Sequence, residues 1–321
     1  MHRSTKISAL AKINLDLRVL QKRPDGFHEL RTVFQTISLA DSIEIDYEPA
    51  RRTELTLDGN VEIADNLVLR AARAVLESMK THARVRFRLT KRIPMGAGLG
   101  GGSSDAAAVL LALPVLAGKT AEIHEIAAGL GSDVPFFLEG GTAVAVGRGT
   151  EFYSLPDVAE QPVFIAAGGV HVSTAEAYRA LDRSLTFTGS LYKINGFQSF
   201  VRALDDSRRA DLASASSEND FEAVVFRQFP NLKTIREKLS KCGAVARMTG
   251  SGSAIFAIYA SERDRERARE SFNRERVVEQ CELLSARLVS RRSYQRMWRR
   301  QLAPHLAPES RIWPPRSRYA R

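Results

Sequence analysis

The sequence predicts an α+β protein built from two units, and three observations carry that expectation. Two long stretches near the start alternate apolar and polar residues as antiparallel strands do. A glycine-rich turn then joins a half-exposed strand to an Ala/Leu-rich helix. The second half mixes strand and helix patterns without the strict alternation that builds a parallel α/β sheet. A length of 321 residues suits two domains. With 44% hydrophobic and 26% charged residues and no internal repeat, bulk disorder and collagen-like or mucin-like architectures are excluded.

Taken in order, residues 7–19 and 31–47 read as strands around a turn at Pro24-Asp25-Gly26. Asp65 or Asn66 caps a helix whose apolar positions, Leu67, Ala71, Ala74, Val75 and Met79, share one face. Residues 85–93 alternate as a strand, the glycine turn leaves from Pro94, and a helix starts near Ser103. A second helix over 121–130, a short segment at Asp133 and a small-residue strand over 142–146 complete the first unit. The loop-rich stretch 147–162 carries the expected boundary, giving domains over 1–155 and 156–291 and a basic tail over 292–321. In the second unit, 163–167, 244–248 and 254–259 read as strands. Residues 174–181, 197–212, 220–229, 232–242 and 262–276 read as helices. Pro304, Pro308, Pro314 and Pro315 among arginines mark the last 30 residues as an extended arm, of which Trp298 and Trp313 dock a part.

The net charge of +10 is not spread evenly. Between Leu283 and Arg321 stand ten arginines, no lysine and one acid, a balance of +9, so the preceding 282 residues carry only about +1. The pattern favours an enzyme body with a basic appendage over a general nucleic-acid binder. The longest uncharged apolar run, 106–118, is too short to cross a bilayer, and residues 1–12 hold no continuous apolar run of a secretory signal. Cys242 and Cys281 stand apart, without a CxxC pair or neighbouring histidines, and a reducing cytoplasm is the expected setting.

Chemistry concentrates at Pro94-Met95-Gly96-Ala97-Gly98-Leu99-Gly100-Gly101-Gly102-Ser103-Ser104-Asp105. Glycines permit positive φ and close approach of backbone to ligand, and the helix that follows aims free N–H groups and a positive dipole end at the loop. Phosphate is the ligand this suits, with Ser103 and Ser104 placed to cap the helix and to offer hydroxyls. Gly96, Gly98 and Gly101 satisfy GxGxxG, yet a second helix follows where a dinucleotide fold needs a strand ending in an acid. No Lys sits where a P-loop requires it, and the HRD and DFG signatures of protein kinases are absent. The histidines form no HExxH cluster, and no GxSxG elbow occurs.

These residues resemble the GHMP kinases. The loop above is similar to the second motif of that family, Ala11-Lys12-Ile13-Asn14-Leu15 to its first, and Met248-Thr249-Gly250-Ser251-Gly252-Ser253-Ala254 to its third, in the same order. Asp105, Arg23-Pro24-Asp25-Gly26-Phe27-His28 and Gly131-Ser132-Asp133-Val134-Pro135-Phe136 narrow the resemblance to members acting on a cytidyl-containing small molecule. It covers about residues 5–295. It implies an N-terminal domain like the second domain of ribosomal protein S5, a ferredoxin-like C-terminal domain, and a site between them where ATP with Mg2+ phosphorylates the tertiary 2-hydroxyl of the substrate. Asp133 takes the family's place of the base, and Lys12 orients it. Asn66, Lys91 and Pro94 through Ser104 are placed with the nucleotide. Asn14, Thr249, Gly250, Ser251 and Gly252 are placed with the substrate, whose base His28 and Tyr178 sandwich. Phe27 stands where the family has Tyr and so lacks that hydroxyl.

Two other readings remain at this stage. One is a GHMP kinase acting on homoserine or mevalonate. The other is an RNA-binding protein using an S5-like domain and the arginine arm, which salt-dependent retention on RNA without kinase activity would favour.

Overall fold

A computed structural model of the chain describes residues 2–168, 170, 172–182, 187–205, 217–240, 245–274, 281–307 and 312–320. The first unit opens with two long antiparallel strands, β1 (Arg3–Lys22) and β2 (His28–Pro49), joined by the turn at Pro24-Asp25-Gly26. There follow β3 (Glu54–Gly59), α1 (Leu67–Ser78), β4 (Ala83–Thr90), α2 (Gly101–Ala117), α3 (Ile123–Leu130), α4 (Phe136–Glu139), β5 (Thr142–Gly147) and β6 (Glu151–Ser154). β2 pairs with β1 along one edge. Along the other it pairs with β5 through its first half and β4 through its second, so one strand organises the six-stranded sheet. β3 joins parallel to β4; it was not expected, because as a short and largely exposed edge strand it has no buried face to make a pattern.

The second unit comprises β7 (Pro162–Gly168), α5 (Thr174–Asp182), α6 (Phe187–Asp205), α7 (Glu222–Gln228), α8 (Pro230–Ser240), β8 (Val245–Met248), β9 (Ile255–Ile258), α9 (Glu262–Arg274) and β10 (Cys281–Arg287). Its sheet is antiparallel in the order β10-β7-β9-β8. The boundary expected after residue 155 falls between β6 and β7. The element ends expected at Leu212, Cys242, Ala244 and Arg276, with Pro308, lie outside the described residues. Among the described residues no helix is long and apolar enough to cross a membrane.

Apolar packing joins the two units. Ala11, Ile13 and Leu15 of β1 and Val33 and Ile37 of β2 share a buried cluster with Val163, Ile165, Phe256 and Ala286 of the second sheet. Deeper along β1, Arg18 makes a two-bond pair with Asp16 at 2.9 Å on each arm, both buried, and reaches Glu218 of the second unit. The Glu218 N–H donates to Asp16 Oδ2 at 2.8 Å.

The basic tail is not the extended arm its prolines indicate. Residues 291–301 form a helix, α10 (Arg291–Gln301), capped by Ser290, whose hydroxyl accepts from the Ser293 N–H at 3.2 Å. A 3-10 turn, Ala303–His305, follows. Tyr294, Trp298 and Leu302 lie one helical turn apart, and this stripe is buried in the core of the first unit beside α2 and α4. Its spacing was masked in the sequence by the arginines on the opposite face. The Tyr294 hydroxyl donates to the Phe137 carbonyl at 2.5 Å and Trp313 Nε1 to the Leu138 carbonyl at 2.9 Å, so the tail satisfies carbonyls that α4 itself leaves open. Trp298→Ala is expected to cost about 3–5 kcal/mol. That appears as a Tm lowered by roughly 10 °C in calorimetry; an unchanged Tm would mean the helix is not part of the core.

Candidate active site

Two bulges in β1 bracket Lys12, Ile13 and Asn14, one between Leu10 and Lys12 and one between Asn14 and Asp16. Bulges re-aim side chains and release backbone groups from the ladder. Here the Lys12 N–H donates to the Leu99 carbonyl of the glycine loop at 3.0 Å, and the Asn14 N–H to the Thr249 hydroxyl at 3.1 Å. One strand thus meets both glycine loops. Lys12 Nζ, almost wholly buried, lies 2.8 Å from Asn14 Oδ1, 3.4 Å from Asp133 Oδ2 and 4.8 Å from the centre of the Phe34 ring. Burial holds the ammonium below the usual lysine range, while the adjacent Asp133 pulls in the opposite direction. Asp133 does not cap a helix: α4 begins three residues later, and its start takes no side-chain hydrogen bond. Its half-buried carboxylate faces Lys12.

The glycine loop is held from below. Ala97 and Leu99 are buried in the core shared by the two units, and the Ala97 carbonyl accepts from the Ala254 N–H at 3.2 Å. Pro94 is half-buried and Met95 is exposed. Gly96, Gly98 and Gly100 all take positive φ. At Gly98 a Cβ would stand 2.2 Å from the Thr249 carbonyl oxygen; at Gly100 it would meet the Phe137 ring at 2.9 Å and Lys12 Cγ at 3.1 Å. Gly100, in the left-handed region, caps α2 without a side chain, leaving the first N–H groups of Gly101, Gly102 and Ser103 for a ligand.

Three expectations change here. Neither Ser103 nor Ser104 caps the helix, because it starts at Gly101. The buried Ser104 hydroxyl is unavailable to phosphate because it donates to the Leu10 carbonyl at 2.7 Å; Ser103 stays half-buried in the first turn. Lys91 is not free for the nucleotide: its buried ammonium sits between Asp41 and Asp105, 2.7 Å from Asp105 Oδ2. Asn66 caps α1, accepting from the Val68 N–H at 2.9 Å, and borders a cleft of about 840 Å³ with Leu57, Ile63, Leu69 and Leu89.

The third loop packs backbone to backbone on the second. Thr249 is buried, its hydroxyl between Asn14 Oδ1 at 3.1 Å and the Gly98 carbonyl at 3.2 Å, and the Gly250 N–H donates to Asn14 Oδ1 at 2.9 Å. Asn14 Nδ2 donates to Thr32 at 2.8 Å, while its Oδ1 fixes the third loop. Ser251 pairs with Thr174 at 2.8 Å, and Gly252 has a φ of +104°. Asn219 was missed by sequence reasoning: its Nδ2 donates to the Met248 and Gly250 carbonyls at 2.7 and 2.9 Å. Only its place before an apolar helical pattern marked it.

The first strand and the two glycine loops meet at one cavity of about 1010 Å³, bordered by Lys12, Asn14, Gly98, Gly100, Asp133, Gly250 and Ser251 and, further along, by Phe27, His28 and Tyr178. Its charged lining comprises Lys12, Lys22, Arg148 and Arg179 against Asp133 and Asp182, an excess of two positive charges. His28 and Tyr178 do not stand apart as a sandwich. Their rings stack on each other with centroids 4.6 Å apart and planes at 22°, whereas a base between them needs about 7 Å. Asp182, against His28 Nε2, and Phe221, edge-on to Tyr178, hold the pair. Phe27 is half exposed, with the Arg148 guanidinium 3.5 Å from its ring centre. The tip of α3 lies between the two clefts: Leu130 borders the smaller, Ala128, Gly129 and Gly131 the larger.

A cationic cavity at the junction of two α+β units, with a glycine loop feeding a helix start and a Lys–Asp pair beside it, is the layout of a small-molecule kinase. The GHMP kinase N-terminal domain pattern matches residues 66–141 and the C-terminal pattern residues 199–278. The chain is 52% identical over 99% of its length to the 4-diphosphocytidyl-2-C-methyl-D-erythritol kinase of Solibacter usitatus, covering 98% of that protein, and 37% identical over 84% to that of Prosthecochloris aestuarii, covering 94%. It belongs to the GHMP kinase family and is an ATP-dependent phosphotransferase. A crystal structure of 4-(cytidine 5'-diphospho)-2C-methyl-D-erythritol kinase superposes with a TM-score of 0.72 at 35% identity, over 88% of this chain and 98% of that one. Homoserine kinase from Cytophaga hutchinsonii also gives 0.72, at 17% identity over 89% of this chain and 95% of that one; this likeness speaks to the fold alone.

Proposed function

We propose that the chain transfers the γ-phosphoryl group of ATP to the 2-hydroxyl of 4-diphosphocytidyl-2-C-methyl-D-erythritol. The observation that carries this is the single cavity that joins the Lys12–Asp133 pair and the glycine-loop backbone to a cationic, aromatic-lined end. Phosphoryl transfer asks for positioning and charge compensation more than for covalent chemistry. Asp133, half exposed to the cavity, accepts the hydroxyl proton; Lys12 orients it and offsets negative charge on the transferred group. The N–H groups at the start of α2 hold phosphate oxygens. The excess positive lining, with Arg148, Arg179 and Lys22 around the aromatic end, suits the diphosphate, and the ring pair at His28 and Tyr178 offers a stacking face to cytosine.

Magnesium fits as the companion of ATP, since it favours phosphate oxygens and water with one or two carboxylates. The half-buried Ser103 hydroxyl, in the first turn of α2, is the side-chain oxygen that would meet the ion's waters, and the ion's contribution when bound is to neutralise phosphate charge.

Turnover measured with this alcohol, homoserine and mevalonate in parallel, with 31P NMR of the product, tests the reading; preference for either of the latter two overturns it. His28→Ala is expected to raise KM for the cytidyl substrate roughly ten- to a hundredfold, the worth of about 1–3 kcal/mol for one stacking partner. KM for ATP should change little, and equal effects on both would place the ring elsewhere.

A further inference from the structure

Beneath the first turn of α2, two carboxylates share one buried ammonium. Asp41 of β2 is fully engaged: Oδ1 accepts the Arg92 and Ile93 N–H groups at 2.6 and 2.9 Å, and Oδ2 meets Lys91. Asp105 of α2 is not. Its Oδ2 takes the Lys91 ammonium at 2.7 Å, while its buried Oδ1 has no hydrogen-bond partner. Lys91 Nζ lies 3.2 Å from where a Cβ on Gly101 would stand, directly under the residue that opens the phosphate-facing helix start. Asn60 clasps the same segment, accepting from the Lys91 N–H at 2.8 Å and donating to its carbonyl at 3.0 Å. The cluster therefore fixes both ends of the glycine loop, the entry through Asp41 and the exit through Asp105.

Its charge matters as much as its geometry. With both carboxylates ionised it carries −1 under the place where phosphates bind; with Asp105 protonated it is neutral. The geometry points to Asp105 as a positioning residue that takes up a proton from solvent when the nucleotide's phosphates settle over the start of α2. This rests on the placement of ATP at the glycine loop. Lys91 and Asp41 are the titratable groups facing Asp105 from the neighbouring strands. α1 brings apolar Val68, Ala71, Ala72 and Val75 to the core it shares with α2, and β1 brings the Leu10 carbonyl, already taken by Ser104. Burial, with the nearby Asp41, pushes the Asp105 carboxyl up to about 7, against the pull of Lys91. The carboxyl is thus poised to change state near neutrality, and added phosphate charge favours the protonated form.

Titration calorimetry with a non-hydrolysable ATP analogue, in two buffers of different ionisation enthalpy at pH 6, 7 and 8, reads the proton directly. We expect wild type to take up a substantial fraction of a proton near pH 7, and its Kd to weaken up to about tenfold from pH 6 to pH 8. In Asp105→Asn this component is lost and the pH dependence flattens, with the change falling on KM for ATP more than on kcat. Asp41→Asn, which removes the second negative charge, is expected to lose it too, so the test survives if one variant fails to fold. Uptake that is absent in wild type, or the same in both folded variants, overturns the proposal. An analogue that fails to bind wild type, or binds equally well to a folded Gly100→Val chain, overturns instead the placement of ATP on which it stands.

Discussion

Asp133→Asn is expected to lower kcat by roughly 10² to 10⁴ while leaving folding and ATP affinity close to wild type. The amide keeps the shape of the carboxylate beside Lys12, 3.4 Å away, but accepts no proton. Lys12→Met should be comparably severe. It removes the cation that orients Asp133 and at the same time releases Asn14 Oδ1, which ties the third loop to the strand. The double variant should fall far short of the product of the two single losses, because the pair acts as one unit. Stopped-flow measurement of the chemical step in the four proteins of the cycle decides this. Strict multiplicativity would assign the two residues independent roles, and Asp133→Asn retaining more than about a tenth of kcat, with chemistry limiting, would dismiss it as the base.

The second large effect is expected at Gly98. Its φ of +80° and the 2.2 Å approach of a Cβ to the Thr249 carbonyl oxygen leave alanine no place without parting the second and third loops. Strain and overpacking together are worth about 2–5 kcal/mol. Because the parted loops carry groups from both units, kcat/KM should fall more than about 10²-fold even where the variant stays folded. Gly129→Ala makes the control: a Cβ there meets nothing within 4 Å, so thermal stability should hold or rise slightly. Equal melting temperatures and activities in the two variants would mean that the loops do not depend on this contact.

Gly98 also shows where sequence reasoning stops. The loop was legible from its glycines, and so was the helix that follows, because both depend on local backbone freedom and on short-range pattern. The reason Gly98 must be glycine was not, since the atom that excludes a side chain lies 151 residues away. Lys91 follows the same logic. Its place before the loop is consistent with a phosphate ligand, and only the fold reveals that Asp41 and Asp105 already hold it. His28 and Tyr178 were brought together as expected, but the stacking of one directly on the other is a matter of side-chain packing that no spacing encodes. Edge strand β3 and helix α10 were missed for opposite reasons, the first for want of a buried face and the second because arginines hid one.

The burial of Trp298 in the first unit has a consequence for how this enzyme comes into being on the ribosome. The N-terminal unit carries the glycine loop, Lys12 and Asp133, yet part of its interior is supplied by a helix that emerges only after the whole second unit has been made. The two units therefore do not mature as successive beads. Until residues beyond 290 leave the exit tunnel, the nascent first unit lacks the indole that fills its core and the hydroxyl that closes the last turn of α4, three residues past Asp133. Nascent chains that stop short of this helix are left with an unfilled interior in the first unit, open to proteolysis.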